Sequence, residues 1–245
     1  YTLGRSSAAS DVYKRQVVSR PLRLVIFDVD GTLVDSQADI LGAMTRAFEA
    51  QNLEVPARDE VLGIVGLSLP VAMARLVPDA SPAVQSGLVE GYKSAYVEMR
   101  AKVGAAQSSP LYPGARDVLE TLHRVPDILM GLATGKSKRG LDKLVEAHDL
   151  KHFFVTQQVA DFHPSKPHPS MILQAMADAG VSPQDTVMVG DTSFDMDMAA
   201  AAGVKGIGVS WGYHPVAALG CAGHIVDEFS ALTDVLTAVW RGDYE

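Results

Sequence analysis

Four short runs of apolar residues are spaced along the chain, and each is typical of a strand buried on both faces of a parallel sheet. They are Leu24 to Phe27, Ile128 to Ala133, Thr186 to Val189 and Gly206 to Val209. Between and after these runs, apolar residues recur at three- and four-residue spacing, which predicts amphipathic helices. Strands and helices that alternate across short turns rich in Gly, Pro and Asp predict a doubly wound, Rossmann-like α/β fold with about five parallel strands.

Residues 36–109 interrupt this alternation, because they carry only helical patterns, beginning with Ile40, Leu41, Met44 and Phe48. A helical block directly after the first strand predicts an inserted, all-helical cap subdomain over 36–109. The α/β core would then comprise 17–35 and 110–245. The Pro- and Gly-rich segment Ser108 to Gly114 is a candidate hinge.

The first sixteen residues carry no apolar stripe and no signal-peptide core. The segment Ser6 to Gln16 (SSAASDVYKRQ) resembles the in-frame translation of a sequencing-library adapter. We therefore expect residues 1–16 to be a non-native or disordered tail outside the folded domain.

Composition limits the classes of partner. The chain has 245 residues, of which 47% are hydrophobic, and its net charge is −8, which disfavours a broad binding surface for nucleic acid or an anionic membrane. No apolar run reaches the length of about 18 residues that a membrane span needs.

The single cysteine, Cys221, allows no intramolecular disulfide and no cysteine metal cluster. We expect a cytoplasmic monomer or homodimer in which an anionic substrate would need a local positive site.

Polar residues follow three of the predicted strands: Asp28 after the first, Thr134 after the second and Asp191 after the third. The carboxyl ends of parallel strands open on one edge of a sheet, where ligands bind. These side chains should therefore share one crevice. Asp30 lies two residues after Asp28, and Lys166 in the loop SKPHP can bring a positive charge to the same edge.

Clustered carboxylates stay ionised only beside a cation or with shifted pKa values. Oxygen ligands point to Mg²⁺, which suits phosphoryl chemistry. A lysine would be superfluous in a simple cation site but is useful where a phosphate dianion lies between the metal and the ammonium.

Four segments resemble, in order, the motifs of the haloacid dehalogenase superfamily: DVDGTLVDS from Asp28, LATGKS containing Thr134, SKPHP containing Lys166, and VGDTSFD from Val189. The predicted insert resembles the small helical cap of that superfamily. Several further stretches, including LYPGARDVLETL, resemble phosphoglycolate phosphatases. The cap turn GIVGLSLP at Gly63, however, holds no charged residue for a substrate carboxylate.

The resemblance implies an Mg²⁺-dependent phosphatase that acts on a small phosphorylated metabolite. Asp28 would be the nucleophile, and Asp30 would protonate the leaving group and then activate water. Asp28, Asp191 and the Asp30 backbone carbonyl would hold the metal.

The remaining implied roles concern the phosphoryl group. Thr134, the backbone N–H of Gly135 and Lys166 would bind it, and Asp195 would act behind the metal through a water or by orienting Lys166. A sugar-phosphate mutase or a pyrophosphatase of the same superfamily and a non-catalytic phosphate-binding regulator remain alternatives.

More ordinary roles compete for several residues. Ser36 fits an N-cap of the next helix as well as a catalytic role. Lys136 and its neighbours Lys138 and Arg139 are expected to form a solvated helix start, with a substrate contact by Lys136 as the alternative. Trp211 and Tyr213 are expected to pack beyond the last strand. The histidines show no metal-ligand spacing and are expected to have structural or surface roles, with a contact of His168 to the site as an alternative.

Overall fold

The computed structural model describes residues 21–241, so the adapter-like segment lies outside the described residues. The strands are β1 (Arg23–Phe27), β2 (Ile128–Thr134), β3 (Thr156–Val159), β4 (Thr186–Gly190), β5 (Lys205–Val209) and β6 (His224–Val226). They pair in parallel, in the order β3-β2-β1-β4-β5-β6. This order reverses direction between β1 and β4, the point at which open α/β sheets bind ligands.

Helices surround the sheet and fill the interval between β1 and β2. They are α1 (Gln37–Ala50), α2 (Arg58–Leu62), α3 (Leu69–Leu76), α4 (Pro82–Val103), α5 (Ala105–Ser108), α6 (Ala115–His123), α7 (Lys138–Ala147), α8 (Ser170–Ala179), α9 (Ser193–Ala202) and α10 (Leu232–Arg241). Short 3-10 helices occupy Lys151–Phe153, Pro183–Asp185, Val216–Ala218 and Phe229–Ala231. None of the helices within 21–241 combines the length and hydropathy that a membrane span requires.

Strand β1 is buried on both faces, as its unbroken apolar run predicts. Val25 and Phe27 join the hydrophobic cluster that includes buried residues of α6, α7 and α10. Leu24 and Ile26 join the opposite cluster, which includes buried residues of α8 and α9. Helices therefore cover both faces of the sheet, which confirms the doubly wound α/β fold.

All four apolar runs lie in strands, and the two strands without such a run form the edges of the sheet. Strand β3 has the sequence TQQV, and β6 has only three residues. Edge strands pair on one side only, so they tolerate polar residues that a central strand excludes.

The helices α1 to α4 form a hydrophobic cluster of their own, built on Met44, Phe48, Met73 and Leu88. Phe194, at the start of α9, joins this cluster from the sheet side. The fold thus contains the predicted helical insert.

The chain segments that enter and leave the insert run side by side. The Asp35 N–H donates to the Pro110 carbonyl (2.9 Å), and the Tyr112 N–H donates to the Leu33 carbonyl (3.0 Å). A movement of the insert relative to the sheet would have to bend both segments together.

Candidate active site

Three adjacent strands deliver polar side chains to one edge of the sheet. Strands β2, β1 and β4 are neighbours, and Thr134, Asp28 and Asp191 lie at or just after their carboxyl ends. All three residues are at most 1% exposed. The structure thus brings together the residues that the sequence placed at strand ends.

Lys166 connects two of the carboxylates. Its Nζ lies 2.5 Å from Asp28 Oδ1 and 2.6 Å from Asp195 Oδ1, and the lysine side chain is fully buried. Burial acts to lower the pKa of Lys166, but the carboxylates of Asp195 and Asp28 outweigh it and raise that pKa above its ordinary value. Lys166 is therefore held as a cation against Asp28.

Asp195 is positioned by the start of α9. The Thr192 backbone N–H and hydroxyl donate to Asp195 Oδ2 at 3.1 and 2.7 Å, while Thr192 Oγ1 accepts from the Asp195 backbone N–H, which forms a reciprocal capping box. The other carboxylate oxygen faces Lys166. Asp195 thus contacts Lys166, and its role in orienting that lysine stays a prediction.

Asp191 is fixed from two directions. Thr32 Oγ1 donates to its Oδ1 at 2.9 Å, and the Tyr213 backbone N–H donates to its Oδ2 at 2.8 Å. The chain approaches closely at two glycines: a Cβ at Gly31 would lie 2.2 Å from Asp191 Oδ2, and one at Gly212 would lie 2.0 Å from Asp191 Cβ. Gly31 also has a φ of +89°, which side chains disfavour.

One carboxylate oxygen from each of Asp28, Asp191 and Asp195 lies within 4.8 Å of the other two. Burial raises the pKa of Asp28 to about 7, against the lowering effect of Lys166. Burial also raises the pKa of Asp191 well above its ordinary value, and the charges of Asp28 and Asp195 add to this shift. One lysine therefore does not neutralise the cluster.

The same cluster fits a hard divalent cation. Asp28 Oδ2 is buried and has no hydrogen-bond partner among the described residues, although a buried polar atom normally has one. Carboxylate oxygens are the ligands that Mg²⁺ prefers. A bound ion would give Asp28 Oδ2 a partner and offset the excess negative charge.

Asp30 belongs to a separate ionic group. Its Oδ1 and Oδ2 lie 2.6 and 2.7 Å from Lys136 Nζ, and Ser36 Oγ donates to Oδ1. Burial lowers the pKa of Lys136, but the Asp30 carboxylate outweighs it and the net shift is upward. The carboxylate of Asp30 thus faces a lysine, and the predicted metal contact of its backbone carbonyl stays a prediction.

The expectation of a solvated Lys136 is wrong, because its side chain is only 9% exposed. Its Nζ lies 3.1 Å from the hydroxyl of Tyr96 in α4 and 5.3 Å from the centroid of that ring. Lys138 and Arg139 do lie toward solvent. The signal that could have identified Lys136 is its position two residues after Thr134, where the chain leaves the crevice.

Two further residues differ from their expected roles. Ser36 occupies the N-cap position of α1, but its hydroxyl bonds to Asp30 and caps no backbone N–H. Tyr213 is more than packing, since its hydroxyl accepts the Ser36 N–H at 2.9 Å. Trp211 does pack against Phe229, as expected, and its Nε1 also donates to the Thr32 carbonyl at 3.1 Å. No sequence pattern marked the hydroxyl of Tyr213, because its partners come from a distant segment.

Thr134 and Gly135 form the part of the site nearest the insert. The Thr134 hydroxyl accepts the Lys136 N–H (3.2 Å), and its own proton has no acceptor within 21–241. A Cβ at Gly135 would lie 2.6 Å from the carbonyl oxygens of Gly66 and Leu67. The turn between α2 and α3 therefore rests directly on the predicted phosphate-binding loop.

A cavity of about 760 Å³ extends from this edge of the sheet into the insert. Asp28, Asp30, Thr134, Gly135 and Lys136 line its inner part. A phosphate group placed there would meet two carboxylates, a hydroxyl and a lysine.

Two histidines make hydrogen bonds that connect separate segments of the chain. His214 accepts the Ser193 N–H at Nδ1 (3.2 Å), and its Nε2 lies 3.2 Å from the Gly63 carbonyl oxygen. His163 bonds to Ser170 and Gln158. Cys221 is exposed and outside the cavity lining.

Comparison with known proteins places this site in a family. The family model described as "Haloacid dehalogenase-like hydrolase" matches residues 25–209. The chain is 33% identical over 222 residues to a protein of Dickeya dadantii named "Probable phosphatase IndB", a match that covers 89% of this chain and 95% of that protein.

A second curated protein and a solved structure are also similar to this chain. The chain is 31% identical over 193 residues to the phosphoglycolate phosphatase of Pseudomonas fluorescens, which covers 78% of this chain and 71% of that enzyme. The solved structure of a haloacid dehalogenase-like family protein from Streptococcus pneumoniae has a TM-score of 0.75 and 26% identity, and covers 87% of this chain and 98% of that one. The chain therefore belongs to the haloacid dehalogenase-like hydrolase family.

Proposed function

We propose that this protein is an Mg²⁺-dependent phosphatase that hydrolyses a phosphate monoester through an aspartyl-phosphate on Asp28. One observation carries the proposal: Asp28 and Asp30 line the same cavity, but each contacts a different lysine. Two carboxylates in different surroundings are suited to the two different tasks of nucleophile and acid-base group. The names of the relatives, which include phosphatases, support the same reaction class.

In the first step, a carboxylate oxygen of Asp28 attacks phosphorus and the bond from phosphorus to the ester oxygen breaks. Asp30 gives a proton to the departing oxygen, which leaves as an alcohol. In the second step Asp30 takes a proton from water, the water oxygen attacks phosphorus, and the Asp28 carboxylate is released with inorganic phosphate.

The other residues would stabilise charge on the phosphoryl oxygens. Lys166 already contacts Asp28, and the free hydroxyl proton of Thr134 and the backbone N–H of Gly135 are the proposed donors. Asp28, Asp191 and the Asp30 backbone carbonyl would hold Mg²⁺. That ion would supply positive charge for the attacked phosphoryl group.

The test is release of inorganic phosphate in Mg²⁺ from a panel of phosphate monoesters, including 2-phosphoglycolate and nucleoside monophosphates, and from the anhydride pyrophosphate. We expect Asp28→Asn to reduce turnover to background and Asp30→Asn to lower it by about 10²- to 10⁴-fold. Acid-quenched protein should carry one phosphoryl group on the peptide that contains Asp28. Unchanged turnover in Asp28→Asn would overturn the proposal, and isomerisation of a sugar 1-phosphate without phosphate release would favour a mutase.

A further inference from the structure

The part of the cavity beyond the carboxylates is apolar. Side chains of α1, the α2–α3 turn and α4 line it, and they include Ile40, Met44, Ile64, Leu67, Tyr92 and Val97. The cavity has a volume of about 760 Å³. A phosphate group with a two-carbon substituent would leave most of this space unfilled.

The buried cations in the cavity lining already have carboxylate partners. Lys136 contacts both oxygens of Asp30. Arg100 has its Nε 3.4 Å from Asp39 Oδ2 and donates to Ser109 Oγ at 3.0 Å, and its side chain is 9% exposed. The other lysines and the arginine of the lining, Lys93, Arg139 and Lys143, are exposed residues.

A carboxylate attached two bonds from the ester oxygen would therefore enter a region in which Lys136 and Arg100 already face the carboxylates of Asp30 and Asp39. Removing a carboxylate from water without a counter-charge is strongly unfavourable. An apolar group would instead gain from contact with the aliphatic and tyrosine side chains. The lining therefore favours a substrate with a longer apolar leaving group over one whose leaving group is a short carboxylic acid.

We infer, on the basis of the proposed function, that the substrate is a phosphate monoester with an apolar or aromatic leaving group longer than two carbons. The phosphate would lie at Asp28 and the leaving group between α1, α4 and the α2–α3 turn. Each methylene that enters this region should raise kcat/KM about fourfold, in line with the transfer free energy of a buried methylene.

The experiment compares ethyl, butyl and hexyl phosphate with 2-phosphoglycolate at one Mg²⁺ concentration and one pH. We expect kcat/KM to rise along the alkyl series and 2-phosphoglycolate to react more slowly than ethyl phosphate. If kcat/KM is the same for all three alkyl phosphates, or is highest for 2-phosphoglycolate, the inference is overturned and the proposed function is left intact. Failure to release phosphate from any ester would overturn both.

Two valines of α4 give a matched pair of variants. Val97 lines the cavity and is 46% exposed, whereas Val103 is 50% exposed and lies outside the lining. We expect Val97→Asp to lower the ratio of hexyl to ethyl kcat/KM at least tenfold. Val103→Asp should keep the wild-type ratio. Equal ratios in the two variants would contradict the placement of the leaving group.

Discussion

Lys136 Nζ lies within 2.7 Å of both carboxylate oxygens of Asp30, and the hydroxyl of Tyr96 approaches the same ammonium at 3.1 Å. Asp30 follows β1, whereas Tyr96 belongs to the helical insert. A single lysine therefore connects the proposed acid-base group to the insert. The position of the Asp30 carboxylate depends on how the insert sits over the sheet.

The first prediction concerns Lys136 as a positioning residue. In Lys136→Met the carboxylate of Asp30 keeps the Ser36 hydroxyl but loses its cation, so we expect kcat to fall about 10- to 100-fold with a smaller change in KM. Lys136→Arg should recover part of kcat because it restores the charge. Steady-state kinetics with ethyl phosphate checks this, and Lys138→Met, which removes an exposed lysine of α7, serves as control. A rise in KM alone would assign Lys136 to substrate binding instead.

The second prediction concerns Mg²⁺ and pH. The pKa of Asp28 is raised to about 7 and that of Asp191 is raised well above its ordinary value. A group whose pKa is raised by folding stabilises the fold at low pH, and this contribution is lost as the pH rises through the folded-state pKa. The metal-free protein should therefore lose stability from these two groups between about pH 4 and pH 8.

Mg²⁺ should reverse this loss, because it binds the deprotonated carboxylates. At pH 8 we expect a gain of about 2.7 kcal/mol in the free energy of unfolding when the ion is at a hundredfold excess over its Kd, and a smaller gain at pH 5.5. Urea unfolding in Mg²⁺ and in EDTA measures the difference. Asp191→Asn should remove most of the gain. Equal gains at both pH values would contradict a site built on these carboxylates.

The central strands and the ends of those strands were predictable, because a strand buried on both faces must be apolar and its carboxyl end must meet the binding edge. The apolar run before Asp28 and the run before Asp191 are of this kind. The edge strand β3 was not predictable, because the two glutamines in its sequence TQQV are typical of a loop. Lys136 was misjudged because its surroundings, Asp30 and Tyr96, come from segments that only the tertiary fold brings together.

The third prediction concerns His214, which links Ser193 of the sheet side to Gly63 of the insert. Burial lowers its pKa below 6.5, although the Gly63 carbonyl acts in the opposite direction. A group whose pKa is lowered by folding stabilises the fold at pH values above its unfolded-state pKa, and this contribution is lost as the pH falls. In His214 the loss has a structural cause, because a protonated Nδ1 cannot accept the Ser193 N–H.

His214→Leu should therefore cost about 1 to 2 kcal/mol of unfolding free energy at pH 7.5 and less at pH 5. The measurement is urea unfolding of both proteins in EDTA across this range, so that shared effects of other groups cancel in the difference. His168→Leu is the control, because that ring is exposed and bonds only within its own loop. A cost that is independent of pH would show that the ring acts through packing alone.

The last prediction concerns the contact between the insert and the phosphate-binding loop. A Cβ at Gly135 would lie 2.6 Å from the carbonyl oxygens of Gly66 and Leu67, a distance that the backbone must relieve by moving. Gly135→Ala should displace the α2–α3 turn from the loop. Because alanine keeps the backbone N–H, a loss of activity would come from the displaced turn and not from a missing phosphate donor. We expect kcat/KM for butyl phosphate to fall by up to about 10²-fold, the effect of a misplacement near 1 Å.

Gly220→Ala is the matched control for this variant, since a Cβ at Gly220 would meet nothing within 4 Å. It should leave kcat/KM unchanged and confirm that an added methyl group is harmless where there is space. Thermal unfolding of both variants separates displacement of the turn from general destabilisation. If Gly135→Ala retained wild-type kcat/KM, the close packing of the turn on this loop would have no part in catalysis, and the insert would act only by lining the cavity.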